Sequence, residues 1–374
     1  MYKRKLTHSL LSAMKKHSVV ALFGARRTGK TFLLNQLISE IGKKKVLLVE
    51  GDDLDAAELL SGKRLSVLKR IVNDYQYLFI DEAQMIPEIG QNLKLLADHV
   101  PELRMLITGS SSIDLYQKTG EPLTGRSKYF RLHPITLSEL DENYITLLEK
   151  LDNRLIYGMY PQILTAETDS DKKDILSSIR NGYLLKDVLM LDNQKDAPFV
   201  LSLLRLIAYQ IGNDVSFSSL ANELGVNKKT VMRYLDILEK CYVIFSLRGF
   251  SRNLRKEYTQ TPRFYFWDNG IRNSIIANFN QVNRRDDAGK LWENFVISER
   301  LKYMNYSDPH LLHYFWRTYD QQEIDLIEEK DGMLSAFECK LKNEKAKPPK
   351  AFVNAYPNAT FNIVNRINFS DFLL

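Results

Sequence analysis

The feature that most constrains this chain is a glycine-rich loop between an apolar strand and an amphipathic helix. Residues 18–23, SVVALF, have the β-branched and apolar composition of a buried strand, and the loop GARRTGKT follows directly at 24–31. Apolar residues then recur with a helical period through 31–41. Because G-x-x-x-x-G-K-T in this context is typical of a phosphate-binding loop, the N-terminal third is predicted to be a P-loop nucleotide-binding domain.

The residue types of this loop suit ATP and magnesium. Gly24 and Gly29 let the backbone wrap tightly, so that its N–H groups face the phosphates. Lys30 is expected to reach the β- and γ-phosphates, and the Thr31 hydroxyl to ligate Mg²⁺. The other loop residues predicted to line the site are Arg27, which could equally face a partner, and Thr28.

Two further apolar strands predict the rest of an ATP-hydrolysing site. Residues 77–80, YLFI, lead into Asp81, which suits the magnesium role, and Glu82, which can polarise the attacking water. Residues 104–107, RMLI, lead into TGSSS, where Ser110 is expected to sense the γ-phosphate, to cap the next helix, or both. The ends of these strands therefore predict Mg-dependent hydrolysis as well as binding.

Arg126 follows a turn-rich stretch and has two candidate roles. It is either an arginine finger that reaches the nucleotide of a neighbouring subunit, which implies a homo-oligomer, or an ordinary surface arginine. The sequence leaves both open.

The middle of the chain predicts a helix-turn-helix with a basic surface. Two helical patterns within 216–238 are joined at Gly225, and the runs 242–247 and 264–266 are expected to be the strands of a wing. The segment 215–263 contains nine basic and four acidic residues, a net charge of +5, which favours a DNA partner. A winged helix that only packs or oligomerises is the alternative. The outward basic residues of the second helix are Lys228, Lys229 and Arg233.

The C-terminal part predicts a cluster of carboxylates on a β-hairpin. Strands are expected over 323–327 and 334–341, on either side of a D-G turn. Asp325 and Glu338 then become cross-strand neighbours, and Lys340 shares the face of Glu338.

This cluster suits metal-assisted phosphodiester chemistry. Mg²⁺ is bound through one or two carboxylates together with water and phosphate oxygens, so Asp325 and Glu338 are candidate ligands. Lys340 could orient or help to deprotonate the attacking water, and Glu293, on a predicted helix over 291–301, could add a ligand. The D…E-x-K pattern matches the PD-(D/E)xK nucleases, although a solvent-facing strand of alternating charge has the same letters.

Composition excludes several other classes of protein. The 374 residues carry a formal charge of +6 and are 44% hydrophobic, which is ordinary for a globular protein. Cys241 and Cys339 lie far apart, which argues against a disulfide framework and against a cysteine zinc site. No signal-like segment or apolar membrane span is recognisable, so a cytoplasmic protein without membrane partners is expected.

Taken together, these motifs resemble a family of predicted bacterial and archaeal AAA+-type ATPases that join a P-loop domain to a winged helix and a C-terminal restriction-endonuclease-like domain. The resemblance covers nearly the whole chain and includes FGARRTGKTFLL, YLFIDEAQ, MLITGSSS, PLTGRSKYFRLHPITLSEL, YGMYPQIL, YLLKDVL, FYFWDNGIRN, LWENFVISERL, YFWRTYDQQEIDLI and AFECK. It implies a P-loop core of the ASCE type, with Glu82 as the hydrolytic glutamate and with ring or partner-dependent assembly. It also implies a nuclease-like fold that carries Asp325, Glu338 and Lys340.

The resulting expectation is an α/β protein of three domains. They are a P-loop ATPase domain with a parallel sheet at 1–140, a helical and winged-helix domain at 141–287, and a C-terminal α/β restriction-endonuclease-like domain at 288–374. The expected function is Mg-dependent ATP hydrolysis coupled to DNA binding and to DNA cleavage. The alternative is a nucleotide-dependent switch or scaffold that binds a protein or DNA partner without cutting.

Overall fold

The computed structural model describes residues 2–110, 123, 125–184, 188–189, 196–251 and 261–374. The chain divides into two units. The first comprises Met1–Pro134 and two short segments further along the chain. The second comprises Ile135–Leu185, Gln194–Glu239 and Val243–Leu374.

The first unit is built on a five-stranded sheet in which every pairing is parallel. The strand order is β2-β3-β4-β1-β5, so β4 lies between β1 and β3. Parallel strands end at one edge of a sheet, and the residues that follow β1, β3 and β4 therefore meet there. The strands are β1 (Val19–Phe23), β2 (Val46–Glu50), β3 (Tyr77–Asp81), β4 (Arg104–Gly109) and β5 (Ser127–Arg131).

Helices cover this sheet with their apolar sides. The predicted helix after the glycine-rich loop is present and buries Leu33, Leu34 and Leu37. The helix after β2 is capped by Asp53, whose carboxylate accepts a hydrogen bond from the Asp55 N–H at 3.0 Å. The helices of this unit are α1 (Leu6–Lys16), α2 (Lys30–Ile41), α3 (Leu54–Ser61), α4 (Leu65–Val72) and α5 (Ile89–His99).

The second unit contains a mixed sheet of six strands. Its order is β11-β10-β9-β8-β6-β7, with β9 antiparallel to both β8 and β10, and β11 parallel to β10. The predicted D-G turn joins β9 to β10, and both of its residues, Asp331 and Gly332, have positive φ. The strands are β6 (Ile244–Gly249), β7 (Arg263–Phe266), β8 (Leu312–Arg317), β9 (Glu323–Lys330), β10 (Met333–Cys339) and β11 (Thr360–Val364).

The helices of the second unit include the predicted helix-turn-helix pair. Ser216 caps the first of the two helices through the Ser219 N–H, and Gly225 makes the turn between them at φ 66°. The helices are α6 (Tyr144–Glu149), α7 (Leu151–Tyr157), α8 (Pro161–Thr165), α9 (Asp169–Ser178), α10 (Ala197–Tyr209), α11 (Phe217–Leu224), α12 (Lys228–Lys240), α13 (Asn269–Ile275), α14 (Ala288–Ser307), α15 (Lys350–Ala355) and α16 (Phe369–Leu373).

Two of the sequence motifs build a buried polar joint in this unit. Asp268 accepts a hydrogen bond from the Met159 N–H at 2.7 Å, and the Asn273 amide donates to the Ile156 carbonyl at 2.7 Å. A Cβ at Gly270 would lie 2.0 Å from the Tyr157 carbonyl oxygen, so only glycine fits there. The motifs YGMYPQIL and FYFWDNGIRN therefore hold α7 against α13.

The two strands predicted as a wing differ from that expectation. They pair antiparallel with each other, but β6 also pairs parallel with β8 through Arg248 and Gly249. They thus form one side of the six-stranded sheet instead of a separate hairpin, and β6 is buried at most of its positions. The predicted domain boundary at 287/288 falls within this unit, and the three-domain division remains a prediction.

The predicted fold class is confirmed: the chain combines a parallel P-loop sheet, a helical region and a C-terminal α/β part with a mixed sheet. No helix within the described parts of the chain has the length and hydrophobicity that a membrane span requires.

Candidate functional site

The glycine-rich loop adopts the conformation that a phosphate cradle needs. Gly29 precedes α2 at φ 98°, a conformation that residues with a Cβ rarely adopt. A Cβ at Gly24 would lie 2.2 Å from the Leu132 carbonyl oxygen, so this glycine is required by close packing. The Lys30 ammonium donates to the Gly24 carbonyl at 2.9 Å and thus lies inside the loop. Arg27, at φ 63°, and the buried Thr28 complete the loop.

A buried arginine near the N-terminus holds this loop in place. The Arg4 guanidinium is 3% exposed and donates to the Thr28 carbonyl at 2.6 Å. Its other terminal nitrogen donates to the His133 carbonyl at 2.7 Å. Arg4 therefore ties the phosphate loop to the segment that follows β5, a role for which the sequence contains no local motif.

Asp81 lies at the centre of the predicted magnesium site. Its carboxylate accepts a hydrogen bond from the Thr31 hydroxyl at 2.6 Å, and a second from the Thr108 hydroxyl at the end of β4. The structure thus brings together Thr31 and Asp81, the two predicted magnesium ligands. The sequence predicts a role in γ-phosphate contact for Ser110 and none for Thr108. Ser110 is buried directly after β4, and Ser111 and Ser112 lie outside the described residues.

Glu82 follows Asp81 in a strained conformation beside the loop lysine. Its φ of 47° is rare for a residue with a side chain and is fixed by a hydrogen bond from its N–H to the Thr108 hydroxyl at 3.0 Å. One carboxylate oxygen lies 4.0 Å from the Lys30 ammonium. The other accepts a hydrogen bond from the Gln84 amide at 2.5 Å. A carboxylate so close to the phosphate loop can polarise a water molecule.

Arg126 lies at the other edge of the same sheet. The register pairs Val19 with Ser127, so Arg126 is level with the start of β1, whereas the phosphate loop follows its end. Its guanidinium forms an ion pair with Asp98. Arg126 is thus about five residues of strand, roughly 16 Å, from its own loop. The same register pairs Arg131 with Phe23, the last residue of β1. Arg131 is therefore the arginine of β5 that lies at the same end of the sheet as the phosphate loop.

The predicted carboxylate cluster of the second unit is also assembled. The pairing of Leu326 with Phe337 makes Asp325 and Glu338 cross-strand neighbours. Asp325 is 6% exposed and accepts a hydrogen bond from the Cys339 N–H at 2.8 Å. The Lys340 ammonium lies 2.8 Å from the Glu338 carboxylate, as expected for residues on one strand face.

Glu293 extends this cluster from the long helix α14. Its buried carboxylate accepts a hydrogen bond from the Tyr265 hydroxyl at 2.9 Å and one from the Lys290 ammonium at 2.8 Å. Lys290 also donates to the Gly212 carbonyl at 3.1 Å. A Cβ at Gly212 would lie 2.5 Å from Glu293, so the loop before α11 packs directly on this carboxylate.

The electrostatics of the cluster reflect charges buried close together. Burial raises the pKa of Asp325 well above its usual range, and the charges of Glu293 and Glu338 raise it further. Burial also raises the pKa of Glu293, against the lowering effect of Lys290. Burial would lower the pKa of Lys340, but its hydrogen bond to Glu338 outweighs this, and the pKa is raised.

A divalent cation reduces the electrostatic repulsion between carboxylates that are buried close together. Within the described ranges, no three Asp, Glu, His or Cys side chains form a group that could hold a metal ion by themselves. Asp325 and Glu338 fit a magnesium ion nonetheless, because this ion needs only one or two carboxylates when water and phosphate supply the other ligands.

The basic residues of the segment 215–263 differ in their exposure. Arg263 is 1% exposed and forms ion pairs with Asp214 and Glu323. It therefore belongs to the interior of the second unit. Lys228, Lys229 and Arg233 are exposed on α12 as predicted, while Arg252, Arg255 and Lys256 lie outside the described residues.

Three family models match consecutive parts of the chain. Residues 16–141 match a family described as an AAA domain, a range that contains all five strands of the first sheet. Residues 148–282 and 288–370 match two families that are each described as a domain of unknown function, DUF8612 and DUF4143.

Similar proteins span most of the chain. An uncharacterized protein of Mycobacterium tuberculosis is 28% identical over 342 residues, which cover 90% of this chain and 74% of the relative. An uncharacterized protein of Methanocaldococcus jannaschii is 22% identical over 369 residues, with coverages of 93% and 81%. Among solved structures, a Walker-type ATPase of Pyrococcus abyssi has a TM-score of 0.51 at 16% identity, and the match covers 74% of this chain and 96% of that one. The AAA match and this shared fold support the predicted P-loop ATPase: residues 16–141 form an AAA-type P-loop ATPase domain.

Proposed function

We propose that the first unit hydrolyses ATP with magnesium at the edge where β1, β3 and β4 end. The observation that carries this proposal is the contact between the Thr31 hydroxyl and Asp81, with Glu82 beside Lys30. These are the two oxygen ligands, the phosphate-binding cation and the carboxylate that hydrolysis of a nucleoside triphosphate requires.

Each side chain has a defined task in this proposal. The N–H groups around Gly29 and the start of α2 hold the phosphates, and Lys30 leaves the Gly24 carbonyl to reach the β- and γ-phosphates. Thr31 and Asp81 hold magnesium, which neutralises charge on the phosphate oxygens when bound. Glu82 orients the attacking water and takes up its proton, and the Ser110 hydroxyl contacts the γ-phosphate.

Arg126 supports a further proposal about assembly. Because it lies at the edge away from its own loop, an arginine-finger role requires a second copy of the chain. We therefore propose a homo-oligomer in which Arg126 completes the neighbouring nucleotide site.

For the second unit, we propose binding and Mg-dependent cleavage of DNA. The exposed Lys228, Lys229 and Arg233 on α12 would contact phosphates. Asp325 and Glu338 would hold magnesium, with Glu293 close by, and Lys340 would orient the water that attacks the phosphodiester. A nuclease of the PD-(D/E)xK class is supported by the buried, mutually repelling carboxylates and by the Glu338–Lys340 pair on one strand face.

One observation favours a second candidate, a nucleotide-dependent switch that binds DNA or a protein without cutting. Glu338 forms its ion pair with Lys340 itself, and the described residues contain no preformed three-ligand metal group. In that case the carboxylates would serve the stability or the conformation of the second unit.

A cleavage assay on single-stranded, duplex and branched DNA separates the two candidates. Wild type is compared with Lys340→Ala and with the control Lys330→Ala, which removes an exposed lysine at the far end of β9. Cleavage that needs Mg²⁺ and is lost only in Lys340→Ala supports the nuclease. Absence of cleavage by protein that still hydrolyses ATP supports the switch.

The ATPase proposal has its own test. Lys30→Ala and Glu82→Gln are each expected to lower ATP turnover at least a hundredfold, because they remove charge stabilisation and water activation. Lys44→Ala, on an exposed lysine beyond α2, is the matched control. Normal turnover in both variants would refute the assignment of the first unit.

A further inference from the structure

A lysine-rich segment leads directly away from the carboxylate cluster. Between Lys340 and Lys350 the chain holds five lysines and one acidic residue, Glu344. The segment has no helix or strand between 341 and 349 and includes two adjacent prolines. The four lysines beyond Lys340, which are all exposed, are Lys342, Lys345, Lys347 and Lys350. This segment, 340–350, is called the lysine strip below.

The loop between β8 and β9 presents an aromatic ring to solvent. Tyr319 is 96% exposed, which makes it the most exposed large hydrophobic side chain among the described residues. The loop is not loose: the Thr318 N–H donates to the Gln322 carbonyl at 2.9 Å, and the Gln321 N–H donates to the Thr318 carbonyl at 3.1 Å. An ordered turn thus holds an apolar ring in water, where it gains nothing for folding.

The lysine strip and this loop lie next to each other and to the carboxylates. The Ala351 N–H, directly after the strip, donates to the Gln322 side chain at 3.3 Å. The loop leads into β9 only two residues before Asp325, and the strip begins one residue after Cys339, which donates to Asp325. Positive charge and an exposed ring therefore flank the same end of the β9–β10 pair.

We propose that the lysine strip and Tyr319 form a binding surface for single-stranded nucleic acid, with Tyr319 stacked on an unpaired base. Lysines attract the phosphates of any nucleic acid, but a tyrosine ring needs a base whose face is uncovered. In a duplex the base faces are stacked on one another, so the ring selects for an unpaired strand. This surface deepens the proposed cleavage function, since it delivers a single strand to Asp325 and Glu338.

Binding is tested apart from cleavage, by the fluorescence anisotropy of a labelled oligothymidylate in EDTA and without nucleotide. Tyr319→Ala is expected to weaken single-strand binding about tenfold, and Tyr319→Phe to bind within about twofold of wild type, because the ring is kept. Duplex binding is expected to stay unchanged in both variants. Tyr209→Ala, which removes another exposed tyrosine of the second unit, is the control.

The lysine strip has a separate readout in the salt dependence. The double variant Lys345→Ala/Lys347→Ala is expected to reduce the slope of log affinity against log salt by about 1.4, because each phosphate contact on a single strand contributes about 0.7. An oligouridylate of equal length shows whether the surface takes RNA as well as DNA.

The outcomes separate this inference from the proposed function. Wild-type affinity in Tyr319→Ala, equal losses on single strand and duplex, or an unchanged salt slope in the lysine variant would overturn the inference while DNA binding itself stands. Failure of wild type to bind any nucleic acid would overturn the proposed DNA function together with it.

Discussion

The carboxylate cluster leads to a prediction about stability as well as activity: Asp325→Asn makes the metal-free protein more stable. Asp325 is 6% exposed, and the charges of Glu293 and Glu338 oppose its ionisation. Asparagine removes the charge but keeps a side-chain oxygen for the Cys339 N–H, which now donates at 2.8 Å. Replacing buried ionic groups by well-packed neutral groups of similar size is often neutral or stabilising by roughly 1–4 kcal/mol, and we expect a gain in that range because two carboxylates oppose the charge of Asp325.

Tryptophan fluorescence measures this gain in the second unit alone. All three tryptophans of the chain, Trp267, Trp292 and Trp316, are buried in that unit. Urea unfolding at neutral pH in EDTA gives the free energy of unfolding for wild type, Asp325→Asn and the exposed control Asp286→Asn. Repeating the titration with Mg²⁺ at ten times its Kd is expected to add about 1.4 kcal/mol to wild type and little to Asp325→Asn.

Two results would refute this reasoning. If Asp325→Asn is no more stable than wild type in EDTA, the buried charge is already compensated within the protein. If Mg²⁺ stabilises wild type and variant equally, the ion does not bind at Asp325.

Three further predictions concern the rest of the molecule. Burial would raise the pKa of Asp287, but hydrogen bonds from two buried arginines lower it to about 2. The ionised carboxylate therefore adds at most about 2 kcal/mol to the free energy of unfolding above pH 4, and this contribution is lost as the pH falls towards 2. Urea unfolding of wild type and Asp287→Asn between pH 6 and pH 2 should show the difference in stability disappearing. Gly24→Ala is expected to destabilise the first unit by about 1–3 kcal/mol, since its Cβ meets the Leu132 carbonyl, and calorimetry would contradict this if the unit's transition were unchanged. Gln84→Ala is expected to raise ATP turnover roughly tenfold at unchanged KM, because the Gln84 amide competes with water for the Glu82 carboxylate. A lower turnover of this variant in a steady-state assay would show that Gln84 does not restrain Glu82.

The nucleotide site could be predicted from the sequence because its parts are local motifs. The glycine spacing fixes the loop, and the residue after an apolar strand lies at the strand's carboxyl end whatever surrounds it. The motifs therefore predict that Thr31 and Asp81 lie close together, and their side chains are hydrogen-bonded although 50 residues separate them; their role as magnesium ligands stays a prediction. The D-G turn fixed the register of β9 and β10 in the same way, and with it the neighbouring positions of Asp325 and Glu338.

What the sequence did not reveal depends on contacts between distant segments. Arg4 holds the phosphate loop through two backbone carbonyls, which carry no sequence signal. The pairing of β6 with β8 joins strands that α13 and α14 separate in the chain, so the periodicity of β6 shows only that it is a strand. Gly212 packs on Glu293, which lies about 80 residues away in the chain, so no local pattern predicts this contact.

The two sites therefore depend on their units in different ways. The nucleotide site consists of loops at one sheet edge, and the contacts of Arg4 and the Thr108–Asp81 hydrogen bond that hold these loops lie within the first unit. The carboxylate cluster instead takes Gly212 from the loop before the helix-turn-helix, Tyr265 from β7 and Glu293 from α14. The Gly212 carbonyl accepts a hydrogen bond from Lys290, and Lys290 lowers the pKa of Glu293 against the effect of burial. Gly212 and Lys290 thus connect the loop before the helix-turn-helix to the buried carboxylate of Glu293.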